Sequence, residues 1–239
     1  MIKWTFNRIL FFIVSVVLLI ACAEESKDNV DENQSVAPPS KLTYLALGDS
    51  YTIGESVAEN ERYPNQLTEK LKSVALEFEP VKIIAKTGWT TGELQTAIDA
   101  ENVRDTFDLV SLLIGVNNQY RGYSLVEYEQ EFDSLLRQSI RFAGGKSKRV
   151  FVVSIPDYAY TPFGQRAKPT LISQKIDSFN LANQTITKSY GISYFNITPI
   201  SRKGLEQKEL VATDELHPSG EQYKLWVASF VGEVAAKLQ

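Results

Sequence analysis

The sequence predicts an α/β fold, a three-layer α/β/α sandwich around a five-stranded parallel sheet. Three observations carry this. Apolar runs of strand length recur along the chain, and amphipathic segments of helical period lie between them. The composition, 44% hydrophobic and 23% charged over 239 residues, is that of a globular domain with room for a short tail.

The strand runs are Leu42–Leu47, Val81–Ala85, Leu109–Ile114, Val150–Ile155 and Ile192–Ile197. They are mostly continuous in Val, Ile, Leu and Tyr rather than alternating, as expected of strands covered on both faces. The segments between and after them are Pro64–Leu76, Gly92–Glu101, Leu125–Phe142, Thr170–Tyr190 and Gly220–Leu238. In the third, Leu125, Tyr128, Phe132, Leu135, Leu136 and Phe142 recur at near-helical spacing, which gives one apolar stripe to bury. Alternating strands and helices pack as a parallel sheet with helices on both faces. In such sheets the working site lies at the carboxyl ends of the strands.

This domain occupies residues 41–239. Ahead of it, Lys3 and Arg8 precede the apolar stretch Ile9–Ala21, which only Ser15 interrupts. That stretch is shorter than the ~20 residues of a membrane span and suits a signal peptide over residues 1–21. It ends Leu19-Ile20-Ala21-Cys22 on the only thiol of the chain. The pattern resembles a bacterial lipobox, which implies lipidation of Cys22; an uncleaved anchor with an incidental Cys is the alternative. Residues 22–40 carry Glu24, Glu25, Asp28, Asp31 and Glu32 against Lys27 and end in Pro38-Pro39, the composition of a flexible acidic tether. The expectation is a domain lipid-anchored at a bacterial cell envelope, at the outer membrane, in the periplasm or on the surface.

A net charge of −4 provides no basic excess to neutralise phosphates, so nucleic acid is not an expected partner. A single Cys excludes an internal disulfide or a Cys-based zinc cluster, and a single His excludes any site needing two imidazoles. Oligomeric state is not legible.

Four predicted strand ends carry unusual polar residues. The first run leads into Gly48-Asp49-Ser50-Tyr51-Thr52. A serine directly after a buried strand suits a nucleophile, or else caps a helix. A phosphate-binding loop would need a Gly-Lys-Ser/Thr ending, and Thr52 stands where an α/β-hydrolase elbow needs a second Gly. The second leads into Thr87-Gly88-Trp89, where Gly88 either turns its N–H into a site or makes an ordinary turn. The third ends Gly115-Val116-Asn117-Asn118, where the Asn117 amide either donates to a developing oxyanion or belongs to an Asn-rich turn. Near the C-terminus, Asp214-Glu215-Leu216-His217-Pro218 places a carboxylate three residues before the lone imidazole. Pro218 keeps His217 out of helical conformation and favours a helix start. Together Ser50, His217 and Asp214 supply nucleophile, base and orienter, while Ser50 N–H, Gly88 N–H and the Asn117 side chain supply donors.

These four blocks, Gly48-Asp49-Ser50, Gly88, Gly115-Val116-Asn117 and Asp214-Glu215-Leu216-His217-Pro218, resemble the signature blocks of the SGNH, or GDSL, hydrolases from Leu42 to Leu238. The resemblance implies a flavodoxin-like fold and ester hydrolysis with no metal or cofactor. It implies that Ser50 is the nucleophile, that Ser50, Gly88 and Asn117 form the oxyanion hole, and that Asp214 and His217 complete a triad. Two positions depart from the pattern. Tyr51 stands where many members have Leu, and Asn118 stands where Asp commonly follows.

Tyr51, Trp89, Tyr120, Tyr158, Tyr160 and Phe163 are expected near the substrate pocket, and Pro156–Pro169 is the expected specificity loop. Arg166 and Lys168 on that loop either meet a phosphate or carboxylate or are solvated. Three functions fit: a lipase-like esterase or lysophospholipase on fatty acyl esters, a carbohydrate O-acetylesterase, or a surface-binding lipoprotein without turnover.

Overall fold

The computed structural model describes residues 41–239. The signal peptide, Cys22 and the acidic tether lie outside the described residues.

Five strands form one sheet: β1 (Tyr44–Gly48), β2 (Lys82–Ala85), β3 (Leu109–Leu113), β4 (Val150–Val153) and β5 (Ser193–Phe195). Their order is β2-β1-β3-β4-β5 and every neighbouring pair is parallel. Nine helices are described: α1 (Ser50–Ile53), α2 (Tyr63–Lys72), α3 (Thr91–Glu101), α4 (Val116–Tyr120), α5 (Leu125–Phe142), α6 (Pro162–Gln165), α7 (Pro169–Ser189), α8 (Thr198–Ser201) and α9 (Gly220–Leu238). Helices α2 and α9 pack together on one side of the sheet, while α3, α5 and α7 pack in sequence on the other. This is the α/β/α sandwich expected from the alternation. Among the described residues no helix is long and apolar enough to cross a membrane.

The continuous apolar runs are explained by position in the sheet. Every residue of β1, β3 and β4 is buried, because each has a strand on either side and helices over both faces. The outer strands β2 and β5 are only partly buried. The α5 stripe turns Tyr128, Phe132, Leu135, Leu136 and Phe142 into the core, and Ser124 caps its start by accepting the Glu127 N–H at 3.1 Å. Burying such side chains contributes about 1.5–3 kcal/mol each, which outweighs the modest helix propensities of Tyr and Phe.

The strand order reverses direction at β1, since the chain moves outward to β2 and then returns to β3. Side chains at the carboxyl ends of β1 and β3 therefore border the crevice where such sheets bind ligands.

Candidate active site

At the end of β1, a Cβ on Gly48 would stand 2.1 Å from Thr52 Oγ1 and 2.4 Å from the Leu113 carbonyl. Only glycine lets β1 turn into α1 this close to β3. Asp49, not Ser50, caps α1: its Oδ1 accepts the Tyr51 N–H at 3.0 Å. The helix-capping alternative for Ser50 is thereby replaced, and Ser50 lines a cavity of about 180 Å³.

Asp49 is fully buried, and burial pushes its carboxyl up to about 7, partly offset by the amides of Tyr51 and Gly115. A carboxyl whose folded value lies above the ordinary ~3.9 binds a proton in the folded chain that the unfolded chain has released. Its contribution to stability therefore falls as pH rises from about 4 to about 7, by about 4 kcal/mol in all. Asp49→Asn retains an acceptor for the Tyr51 N–H and removes this titration. Urea unfolding at pH 4, 5.5 and about 7.5 is expected to show wild type losing stability relative to Asp49→Asn across that window. A difference independent of pH would contradict it.

The His217 loop is a short excursion closed on itself. Ala212 N–H donates to the His217 carbonyl at 2.8 Å and Ser219 N–H to the Leu210 carbonyl at 2.9 Å. Helix α9 begins at Gly220 with Ser219 as its cap, so Pro218 ends the loop rather than starting the helix. Within the excursion, Asp214 Oδ1 accepts the N–H groups of Leu216 and His217, each at 2.9 Å. Asp214 Oδ2 lies 2.6 Å from His217 Nδ1 and accepts the Ser56 hydroxyl at 2.7 Å. Partial burial opposes ionisation of Asp214. The His217 ring, the two amides and Ser56 outweigh it and hold the carboxyl down at about 2. An ionised Asp214 keeps the proton on Nδ1, which leaves Nε2 as the basic nitrogen. Ser56, on the loop after α1, was not legible as part of the site.

Asn117 and Gly88 come together through three ties between the β2 and β3 loops. Asn117 Nδ2 donates to the Trp89 carbonyl at 3.0 Å, which uses one of its two N–H groups. Arg121 donates to the Gly88 carbonyl at 2.6 Å. Asn118, fully buried, accepts the Thr91 N–H at 3.1 Å through Oδ1 and donates to Thr91 Oγ1 at 2.6 Å. The Thr91 hydroxyl in turn donates to Glu131. An amide suits this position because it both accepts and donates. A carboxylate in place of Asn118 could only accept, and would compete with Glu131 for the one hydroxyl proton. Gly88 has φ +88°, a conformation open to glycine, and its N–H meets no acceptor among the described residues.

The cavity is lined by Ser50, Tyr51, Asn117, Tyr120, Tyr158, Phe163 and His217, with Val116 and Leu216 beside them. Ser50 and the imidazole share this space rather than a direct hydrogen bond; such contacts commonly tighten only when substrate is bound. Tyr51 sets its ring edge-on to His217, with centroids 5.7 Å apart. Two expected pocket residues do not line the cavity. Trp89 supplies its carbonyl to Asn117 while its indole packs against the core. Tyr160 lies beneath the Arg202 guanidinium, 5.9 Å from the ring centroid. The 3₁₀ turn Tyr158–Tyr160 sends these two rings apart, so Tyr158 alone reaches the cavity.

The constellation offers an oriented base, a serine hydroxyl and N–H donors around one space, the requirements of acyl transfer. A family model described as GDSL-like Lipase/Acylhydrolase matches residues 46–225. No curated protein matches the chain by sequence. The lipase/acylhydrolase from Enterococcus faecalis is similar in structure, with TM-score 0.63 and 20% identity over 83% of this chain and 97% of that one. So is the psychrotrophic esterase EstA from Pseudoalteromonas sp., with TM-score 0.62 and 16% identity over 81% and 97%. Axe2, an acetylxylan esterase from Geobacillus stearothermophilus, gives TM-score 0.61 and 19% identity over 82% and 94%. At these identities the likeness is one of fold.

Proposed function

The chain belongs to the GDSL-like lipase/acylhydrolase family of ester hydrolases, and on that premise we propose that it cleaves carboxylic esters through an acyl-enzyme on Ser50. The observation that carries this reading is the gathering of Ser50, Asn117 and His217 around one cavity, with Asp214 2.6 Å behind the imidazole. His217 Nε2 takes the Ser50 proton as Oγ attacks the ester carbonyl. The carbonyl oxygen becomes an oxyanion held by Ser50 N–H, Gly88 N–H and the remaining Asn117 N–H. His217 then protonates the leaving alcohol, and water releases the acid by the same route reversed. Asp214 fixes the tautomer and stabilises the imidazolium.

The substrate favoured is a fatty acyl ester, of lipase or lysophospholipase type. Its support is that the aromatic wall of the cavity, Tyr120, Tyr158 and Phe163, is shared with a second cavity of about 420 Å³ that continues along Leu171 and Ile172. A carbohydrate O-acetylesterase is the second reading, favoured by the small volume directly at Ser50. Lipidation of Cys22, within this proposal, places the enzyme beside acyl esters of the envelope. Hydrolysis of p-nitrophenyl esters from acetate to palmitate, with Ser50→Ala as control, tests it. Serine-dependent activity that persists or rises with chain length is expected. A sharp maximum at acetate would transfer the reading to deacetylation, and no serine-dependent turnover of any ester would overturn both.

A further inference from the structure

The second cavity has a chemistry of its own. It begins at the rings of Tyr120, Tyr158 and Phe163 and ends at Arg166, Lys168 and Lys175, and no Asp or Glu lines it. In a chain of net charge −4, three cations along one groove are an unusual local excess. Arg166 is committed, since it pairs with Glu215 and so ties the specificity loop to the His217 loop. Phe163 N–H, donating to the Glu215 carbonyl at 3.0 Å, reinforces that tie. Lys168 and Lys175 make no ion pair with the described residues.

Their spacing is that of one helical face. Lys168 immediately precedes α7, and Leu171, Ile172 and Lys175 follow at intervals that place them on the same side. Leu171 and Tyr120 leave much of their apolar surface in solvent along the same groove. An exposed apolar floor next to a reactive serine, closed at its far end by unpaired cations, matches a ligand that is apolar in the middle and anionic at its end. The start of α7 adds the positive end of a 21-residue helix, without a side-chain cap to consume it.

We propose that this groove is a substrate subsite, in which Lys168 and Lys175 hold a carboxylate or phosphate carried by the ester while Leu171, Ile172 and the aromatic wall take its apolar portion. The inference rests on the ester-hydrolase reading above and narrows its substrates to anionic amphiphilic esters. Because both lysines are solvent-exposed, the interaction is modest and screened by salt.

The test compares matched pairs of esters. In one arm, p-nitrophenyl hexanoate is set against p-nitrophenyl 6-phosphonooxyhexanoate, whose phosphate lies beyond the apolar chain. In the other, p-nitrophenyl hexanoate is set against the monoester of adipic acid. The quantity read is the ratio of kcat/KM for the anionic member to that for the neutral one, in wild type and in Lys168→Ala/Lys175→Ala. The ratio is expected to fall by about tenfold in the double variant in at least one arm, and to shrink in wild type as salt rises. The arm that responds identifies phosphate or carboxylate as the anion. A ratio unchanged by the double variant in both arms overturns the subsite while leaving ester hydrolysis standing. Absence of Ser50-dependent turnover of every member, neutral ones included, overturns the hydrolase reading and the subsite with it.

Discussion

Ser50→Ala is expected to lower kcat by about 10⁴–10⁶-fold on any ester the protein turns over, with the fold retained. In the proposed mechanism this hydroxyl forms the acyl-enzyme, and the helix start beside it is capped by Asp49, which the substitution does not touch. His217→Ala is expected to cost a comparable factor, because an unassisted serine hydroxyl is a weak nucleophile at neutral pH. The double variant should be little worse than either single one, since nucleophile and base act as a unit. Steady-state kinetics beside thermal unfolding checks this. Wild-type-like rates in purified Ser50→Ala, or additive losses in the double variant, would contradict the assignment.

Asn117→Ala is expected to lower kcat by about 10²–10³ with a much smaller change in KM. The split follows from when the amide acts. Its free N–H meets the carbonyl oxygen most strongly as that oxygen gains charge, so its loss weakens the transition state more than the ground state. The same substitution leaves the Trp89 carbonyl without its side-chain donor. Arg121 and Asn118 still hold the Gly88 loop to α4, through Gly88 O and Thr91 respectively. The loop should therefore stay in place, and the loss should read as a catalytic one. A rise in KM with kcat unchanged would assign Asn117 to ground-state binding instead.

Much of this architecture is legible in the sequence, for reasons that differ between elements. Helices α5 and α9 begin and end where the periodicity places them, because each is long enough for its apolar stripe to repeat through several turns. Strands β1 and β4 declare themselves by unbroken apolar runs, and β3 by a run broken only at Ser111, whose buried hydroxyl is paired with those of Tyr44 and Tyr63. The short helices α1, α4, α6 and α8 were not readable. Four or five residues complete little more than one turn and show no period.

The site was legible where chemistry demands a particular residue type, and less so where geometry alone decides. Ser50 after β1, and the lone His217 with Asp214 three residues before it in the loop between Leu210 and α9, announce themselves by type; that loop follows no strand, contrary to the expectation of a fourth strand end. The ring directions of Trp89 and Tyr160 depend on turns that sequence spacing does not specify. Ser56 and Arg121 support the site from loops far from the residues they hold, Ser56 lying 158 positions before Asp214. Asn118, a departure from the family pattern, is explained only once Thr91 and Glu131 are seen beside it.

The central claim is that Ser50 is the nucleophile, and reaction with a fluorophosphonate tests it most directly. Intact-mass and peptide mapping should show one phosphonyl adduct per chain, located on Ser50, and no adduct in Ser50→Ala. An adduct on another residue, one that persists in Ser50→Ala, or none on a protein that turns over esters would contradict it.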